Sequence, residues 1–562
     1  KKPDYLANNF NIDRLKKYSS SFPDGFDIEI FSFKLLKYVH GKHKKNERIE
    51  GGVISAYLKQ NPREIKRFKI INLDSPKYLN QKVKLSIDEK KDFKLTQRIY
   101  NHFAPSINFS WEDVVSYLKL EKINNNSANK GQFLWKKAKN LILNGNMLAS
   151  KNPDVFLPEK WPTYYKKSKG CYVWDLNNKK LTDMSLMGVG TNILGYSNSK
   201  VDQSVKEVIQ KGNLTTLNCP EEVELAERLL SIHPWADKVK FARTGGEANA
   251  IAMRIARSST KKHNVAFCGY HGWHDWYLSS NISDKKNLDK HLIPGLDPLG
   301  VHKNLKNTSF PFKYNDFKQV EKLVSKNNIG IIKMEVSRST KPNLTFLKKI
   351  RKLCSTKGII LIFDECTSAF RENFGGLHKK IKVNPDLAIF GKALGNGYAI
   401  TAVIGKKEIM DSAKNSFISS TFWTERIGPT AGLKTLEVME QEKSWKTITL
   451  LGKKLIKVWK KISSRHKVKI KITGIPSLAK FNFTGINGLQ YKTYLTQRML
   501  ENNYLASNGV YMSTAHNLKI LKKYEEILDE IFYEISECEK GKLNINNLLE
   551  FPLSKVPFAR VN

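Results

Sequence analysis

From Phe133 to about residue 440, short apolar runs alternate with segments whose apolar residues recur at helical spacing. No other feature of this 562-residue chain constrains its fold as strongly. Runs such as Ile359-Ile360-Leu361-Ile362-Phe363 read as buried strands, and strands that alternate with amphipathic helices form a parallel sheet wrapped by those helices. The expected class is therefore α/β. A chain this long exceeds one core and predicts two or three domains. Residues 1–120 mix short strands and helices, and the polar, aperiodic stretch from Glu121 to Lys130 reads as a linker spanning 121–132. The expected sheet domain covers about 195–430. A smaller α+β unit, with shorter strands and two helices in its C-terminal part, draws on 133–194 and 431–540. Residues 541–562, rich in Asn, Pro and basic side chains, read as a loose tail.

Ligands of open parallel sheets bind beyond the carboxyl ends of the strands, so the residues that follow each apolar run matter most. Lys238 to Ala242 is followed by Arg243-Thr244-Gly245-Gly246-Glu247 and then by a helical face of Ala248, Ile251, Ala252, Ile255 and Ala256. A strand, a glycine pair and a helix start make an anion site, because glycine lets backbone N–H groups approach a phosphate and the helix dipole favours its charge. Asn264 to Cys268 leads into Gly269-Tyr270-His271-Gly272-Trp273-His274-Asp275, where an aromatic ring can stack on a cofactor. His271, His274 and Asp275 also have metal-ligand spacing, but no second cluster supports a metal. Further runs end in Glu335, in Asp364 and in Gly391-Lys392, which places three reactive side chains on one rim of one sheet. A lysine at the mouth of a buried strand can form a Schiff base, and a carboxylate at a neighbouring strand mouth can hold a pyridinium proton. Together they are what pyridoxal 5′-phosphate (PLP) chemistry requires.

The formal net charge of +42 would ordinarily suggest nucleic acid or an anionic membrane. Only 16 of the 95 basic residues are arginine, however, and the lysines are spread along the chain with no basic run interleaved with aromatics, which argues against nucleic-acid binding. The six cysteines, Cys171, Cys219, Cys268, Cys354, Cys366 and Cys538, show no CxxC spacing. With no signal peptide and no apolar run near 18 residues, a reduced, cytoplasmic protein without membrane insertion is expected. The chain starts at Lys1 without a methionine, so a trimmed or longer parent protein is also expected.

The segment from about Phe133 to Lys540 resembles a class III aminotransferase of the fold type I PLP family, nearest to glutamate-1-semialdehyde 2,1-aminomutase-like members. The resemblance is carried by Asp364-Glu365-Cys366-Thr367-Ser368-Ala369-Phe370-Arg371 followed by Gly375-Gly376. It implies a large parallel-sheet domain with a small α+β domain. By it, Lys392 bonds the cofactor, Asp364 faces the pyridine nitrogen, Gly245 and Gly246 cradle the phosphate, and Tyr270 stacks on the ring with His271 beside it. Glu335 lies on the same rim. Thr421 looks like the threonine that reaches the phosphate of a neighbouring subunit, which implies a homodimer with shared sites. Cys366 stands where the family has valine against the ring, Gly246 replaces a hydroxyl-bearing residue, and the stretch from Thr421 to Pro429 is longer than in aminomutases. Arg371 and Arg426 fall in segments that the family places near the cofactor. Either can fork onto a substrate carboxylate or phosphate, with a structural ion pair as the alternative.

Phe22 to Phe33 and Leu85 to Phe93 resemble the second half of a cytidylyltransferase of the spore-coat polysaccharide and CMP-sugar-acid type, over roughly residues 4–120. Asp88 matches a metal-ligand aspartate of that family, whereas its amino-terminal nucleotide loop has no match, so this α/β nucleotidyltransferase fragment is expected to be inactive alone on CTP. The resulting expectation is a PLP-dependent aminotransferase with a small-molecule amino donor and a sugar-derived carbonyl acceptor, in surface polysaccharide or sugar-acid biosynthesis. A 2,1-aminomutase and a catalytically inactive scaffold for the transferase are the alternatives.

Overall fold

Two units divide the chain between Asn126 and Ser127 in a computed structural model that describes residues 130–555 apart from 290, 293, 294 and 338–342. Before residue 130 it describes stretches between Pro3 and Tyr117, chiefly 29–42, 65–72 and 90–104. In the first unit, β1 (Tyr5–Ala7) pairs antiparallel with β2 (Glu29–Phe31) and parallel with β3 (Ile70–Asn72). The parallel pair needs a crossover, and the helix Phe33–Lys42 lies in that connection, burying Leu35 and Val39 with Ile54 and Leu58. Asp88 lies outside the described residues, as do 22–28 and 85–89 of the two cytidylyltransferase-like stretches.

In the second unit, β4 (Tyr165–Lys169), β5 (Tyr172–Asp175) and β6 (Lys180–Met184) form antiparallel neighbours. The central sheet follows, built from β7 (Lys238–Ala242), β8 (Asn264–Cys268), β9 (Ser309–Pro311), β10 (Ile329–Glu335), β11 (Ile360–Asp364), β12 (Leu387–Phe390) and β13 (Thr401–Gly405). Its order is β7-β13-β12-β11-β10-β8-β9. The expected parallel sheet includes one reversed strand, since β13 runs antiparallel to both β12 and β7. Only the ten residues from Gly391 to Ile400 separate β12 from β13. A parallel return needs a dozen residues or more, so the chain folds straight back instead.

Every residue of β10 through β13 is buried. Alternation sorts their side chains into two apolar layers. Ile331, Ile362, Ile389 and Val403 pack under the helix Gly245–Thr260 together with Trp276 and Tyr277. Ile332, Leu361 and Phe363 pack on the opposite side against the helix Leu344–Lys357.

After residue 440 come β14 (Ile470–Thr473), β15 (Leu478–Phe483), β16 (Tyr504–Ala506) and β17 (Gly509–Tyr511). β16 pairs parallel with β6, so segments more than 300 residues apart share one sheet. Three long helices stand here rather than the two expected: Ser444–His466, Gly488–Glu501 and Leu518–Glu539. The middle one is rich in Tyr, Thr and Gln, whose intrinsic helix preference is weaker and whose pattern is ambiguous; burial of Tyr491, Tyr494, Leu495 and Met499 in the core stabilises it. The expected loose tail is packed as far as Lys555, and 556–562 lie outside the described residues. Ile545 and Leu548 join the main core, and buried Ser554 exchanges hydrogen bonds with Thr493 at 3.1 and 3.2 Å. At the other boundary, the helix Lys130–Leu141 begins inside the expected linker, with Gln132 donating to the Trp161 carbonyl.

Candidate active site

Lys392 opens a short turn, Lys392–Gly395, directly after β12. Its φ is +45°, a left-handed conformation that a side chain rarely adopts and that surrounding structure must enforce. Nζ donates to Thr367 Oγ1 at 2.8 Å. On the adjacent strand Asp364 pairs in register with Ile389, one residue before the end of β12, and with Glu335 on β10. The strand ends are thus level, and Lys392, Asp364 and Glu335 emerge on one rim.

Asp364 Oδ2 lies 2.9 Å from His271 Nδ1, and Oδ1 accepts from the Cys366 N–H at 3.1 Å. Burial works to raise the carboxyl pKa, but the His271 hydrogen bond and the nearby Lys333 ammonium outweigh it and hold Asp364 well below the usual carboxylate range. Burial pushes the His271 imidazole down, against the pull of Asp364. Its Nε2 faces the Cys268 carbonyl at 3.2 Å. The shorter contact with the charged acceptor assigns the imidazole proton to Nδ1, donating to Asp364.

Across the rim, the helix Gly245–Thr260 begins with a capping box: Thr244 Oγ1 accepts from the Glu247 N–H, and Glu247 Oε2 accepts from the Thr244 N–H at 2.7 Å. The reciprocal bonds engage two of the first-turn donors and leave the N–H groups of Gly245 and Gly246 facing outward. A Cβ on Gly246 would stand 2.9 Å from His274 Cε1 and 3.1 Å from its Nδ1. Nδ1 of His274 is buried without a hydrogen-bond partner among the described residues. Two backbone donors, an orphaned ring nitrogen and a side-chain-free floor at the start of a 16-residue helix fit a phosphate group. Cys366 lies between this floor and the lysine, since a Cβ on Gly245 would meet its Sγ at 3.7 Å and one on Gly391 at 3.3 Å. Burial, and then the Asp364 charge, push the Cys366 thiol well up, so it stays protonated and uncharged.

Tyr270 is half-buried beside the same rim, with its N–H donating to Glu335 Oε2 at 3.0 Å. Thr421 is exposed, on the turn Thr421–Thr424. Trp423 Nε1 donates to Glu247 Oε1 at 3.1 Å and Arg243 Nη2 donates to the Trp423 carbonyl at 2.8 Å, which ties this turn to the glycine pair. Arg426 places its fork on Glu221, with Nε 2.9 Å from Oε2 and Nη2 2.8 Å from Oε1, the geometry of a structural ion pair. Arg371 is fully buried and donates to the carbonyls of Gly190 and Thr367. His271 and His274 serve different neighbours, and no metal-binding group of three or more His, Cys, Asp or Glu side chains occurs among the described residues.

Three side chains of this region escape a sequence reading: Thr367, His274 as the orphaned neighbour of Gly246, and Lys333. The last left a signal. A lysine inside Ile331-Ile332-Lys333-Met334 is anomalous in a strand buried on both faces.

Residues 158–524 match the family model described as Aminotransferase class-III. The chain is 28% identical over 426 residues to a 3-aminobutyryl-CoA aminotransferase of Cloacimonas acidaminovorans, covering 74% of this chain and 97% of the relative. It is 33% identical over 363 residues to a glutamate-1-semialdehyde 2,1-aminomutase of Sulfurisphaera tokodaii, covering 63% and 84%. Among solved structures, FumI of Sphingopyxis sp. MTA144 in its PLP internal aldimine form superposes with a TM-score of 0.66 at 21% identity, over 75% of this chain and all of that one. An omega-transaminase from Sphaerobacter thermophilus gives 0.64 at 19% identity, over 73% and 98%. The structural likenesses establish the fold. Together with the family match, they place the chain in the class-III aminotransferases, the PLP-dependent transaminases and aminomutases built on this α/β fold.

Proposed function

We propose that this chain is an aminotransferase that moves an amino group from an amine donor to a separate carbonyl acceptor, with Lys392 as the residue that bonds PLP and moves the proton. The convergence of Lys392, the Asp364–His271 pair and the Gly245-Gly246 helix start on one rim carries the reading. When bound, PLP supplies the electron sink that makes the amine-bearing carbon acidic. With PLP bound, Lys392 Nζ would be the base that takes the proton from that carbon. Asp364, kept ionised, would hold positive charge on the ring nitrogen, with His271 fixing the carboxylate's orientation. The N–H groups of Gly245 and Gly246 would hold the phosphate, Tyr270 would stack on the ring, and the neutral Cys366 thiol would pack beside it without competing as a nucleophile. Thr421 would complete the phosphate site of a second copy, making a homodimer with shared sites.

The acceptor we assign is a sugar-derived carbonyl of surface polysaccharide or sugar-acid biosynthesis, on the strength of the cytidylyltransferase-like pattern in the first 120 residues. An aminomutase is the second reading, favoured by the similarity to the Sulfurisphaera tokodaii protein. Borohydride reduction of the PLP-loaded protein followed by peptide mapping tests the site: a label on Lys392 supports it, and a label on another lysine overturns it. A screen of keto sugars and short oxo acids, each with and without an external amine, tests the reaction. Product formation that requires the external amine supports transamination, and conversion of a single substrate without one establishes the aminomutase.

A further inference from the structure

Lys333 lies in the middle of β10, fully buried, and its Nζ has no hydrogen-bond partner among the described residues. The register sets Lys333 beside Ile362 and Glu335 beside Asp364. Because side chains alternate along a strand, Lys333 and Glu335 leave β10 on the same face from which Ile362 and Asp364 leave β11. Ile331, Ile362, Phe267 and Trp276 mark that face as the apolar layer under the helix Gly245–Thr260. Nζ stands 6.0 Å from the centre of the Trp276 ring, and Trp276 in turn stacks against His271, 6.1 Å between centroids, the imidazole that bonds Asp364. An ammonium here has given up its water for a ring face and nearby carboxylates. Methionine would fill the same space without that cost, so what lysine adds is charge.

The groups that face this charge are Asp364 from β11, Cys366 just beyond it, Glu335 from the same strand and His271 from the loop after β8. The Cys366 thiol is protonated, the His271 imidazole is held down by burial, and Glu335 already accepts from the Tyr270 N–H. Asp364 is ionised and answers the ammonium most strongly.

We infer that Lys333 is a positioning residue of the cofactor site that acts through Asp364: its ammonium shares that carboxylate with the ring nitrogen and so weakens the nitrogen's hold on a proton. One carboxylate then serves two cations, and each makes the other's charge less favourable. Burial brings Lys333 down to about 8, against the pull of Asp364 and Glu335, so the ammonium is present at neutral pH and the competition operates there.

The inference rests on the reading that Asp364 faces the ring nitrogen, and the experiment separates the two. The holoenzyme is loaded with PLP labelled with ¹⁵N in the ring, and the nitrogen resonance is followed against pH in the wild type and in Lys333→Met, Lys333→Leu and Asp364→Asn. Removing the ammonium is expected to move the nitrogen's protonation midpoint up by about one pH unit or more, the scale of a nearby like charge. Asp364→Asn is expected to move it down. A midpoint unchanged in both Lys333 variants, while Asp364→Asn shifts it, overturns the inference and leaves the role of Asp364 intact. If Asp364→Asn also leaves the resonance unmoved, both readings fall.

Discussion

A lysine held near pKa 8 in the folded state and near 10.5 in the unfolded chain ties stability to pH, whatever its role toward the cofactor. Below pH 8 both states carry the proton and the folded state bears the full cost of burying it. Between about 8 and 10.5 the unfolded chain binds more protons than the folded one, so stability rises with pH across that window. Other groups titrate there as well, and the informative quantity is the difference between wild type and Lys333→Met. Urea unfolding of the apoprotein is expected to show that difference growing in favour of the wild type by about 1–3 kcal/mol from pH 8 to 10.5. A flat difference curve would show that Lys333 keeps an ordinary lysine pKa in the folded state. Arg426 gives a second prediction at this scale. Both side chains of the Arg426–Glu221 pair are only partly exposed and the fork is bidentate. A double-mutant cycle of Arg426→Ala and Glu221→Ala is expected to return a coupling of about 1 kcal/mol in stability. If Arg426 instead binds substrate in solution, the cycle shows no coupling, and KM for anionic acceptors rises alone.

Elements differ in how openly their residues announce them. The strands β8 and β10 through β12 were legible because burial on both faces makes each run apolar, and because the run stops where a reactive residue begins, as at Asp364 and Gly391-Lys392. The direction of β13 was written only in the length of its connection, which an apolar pattern does not report. Lys333 drew no reading of its own inside the apolar run that ends at Glu335. The helix Gly488–Glu501 and the packed segment to Lys555 depend on each other across 61 residues, through Thr493 and Ser554, so no local pattern could place them. Gly452 illustrates the same dependence. On an isolated helix, Gly→Ala would add about 1 kcal/mol of stability. In the helix Ser444–His466, however, a Cβ at this position would lie 2.0 Å from the Pro476 carbonyl oxygen and 2.3 Å from its carbon. Backbone atoms cannot yield as a flexible side chain does. Gly452→Ala is therefore expected to destabilise the protein by about 1–3 kcal/mol, the cost of overpacking, and to lower its melting midpoint. A raised midpoint would mean that helix and loop separate easily.

At the scale of the whole molecule, the open question is what covers the surface around Thr421. Phe422 is 72% exposed, Phe417 is 85% exposed and Leu217 is 81% exposed. Arg426 N–H donates to the Asn213 carbonyl, which brings the 213–217 segment beside the Thr421–Thr424 turn. Large exposed apolar side chains gathered beside a polar rim mark an interaction surface. A second copy is the occupant our reading assigns, since Thr421 would then reach the partner's phosphate site while the turn stays anchored through Trp423 to its own glycine pair. Hybrid dimers test this directly. Lys392→Ala and a disabling Thr421 variant are each inactive as homodimers, but a mixed dimer gathers both defects in one site and leaves the other intact. Equal mixing makes half of the dimers mixed, so activity is expected to recover to about a quarter of the wild-type level. The formal charge of +42 opposes association of two copies most strongly when screening is weakest, so subunit exchange belongs at low ionic strength and the assay at higher salt. No recovery under conditions where labelled subunits demonstrably exchange would place each complete site within one chain, and strictly monomeric protein with full cofactor occupancy would do the same.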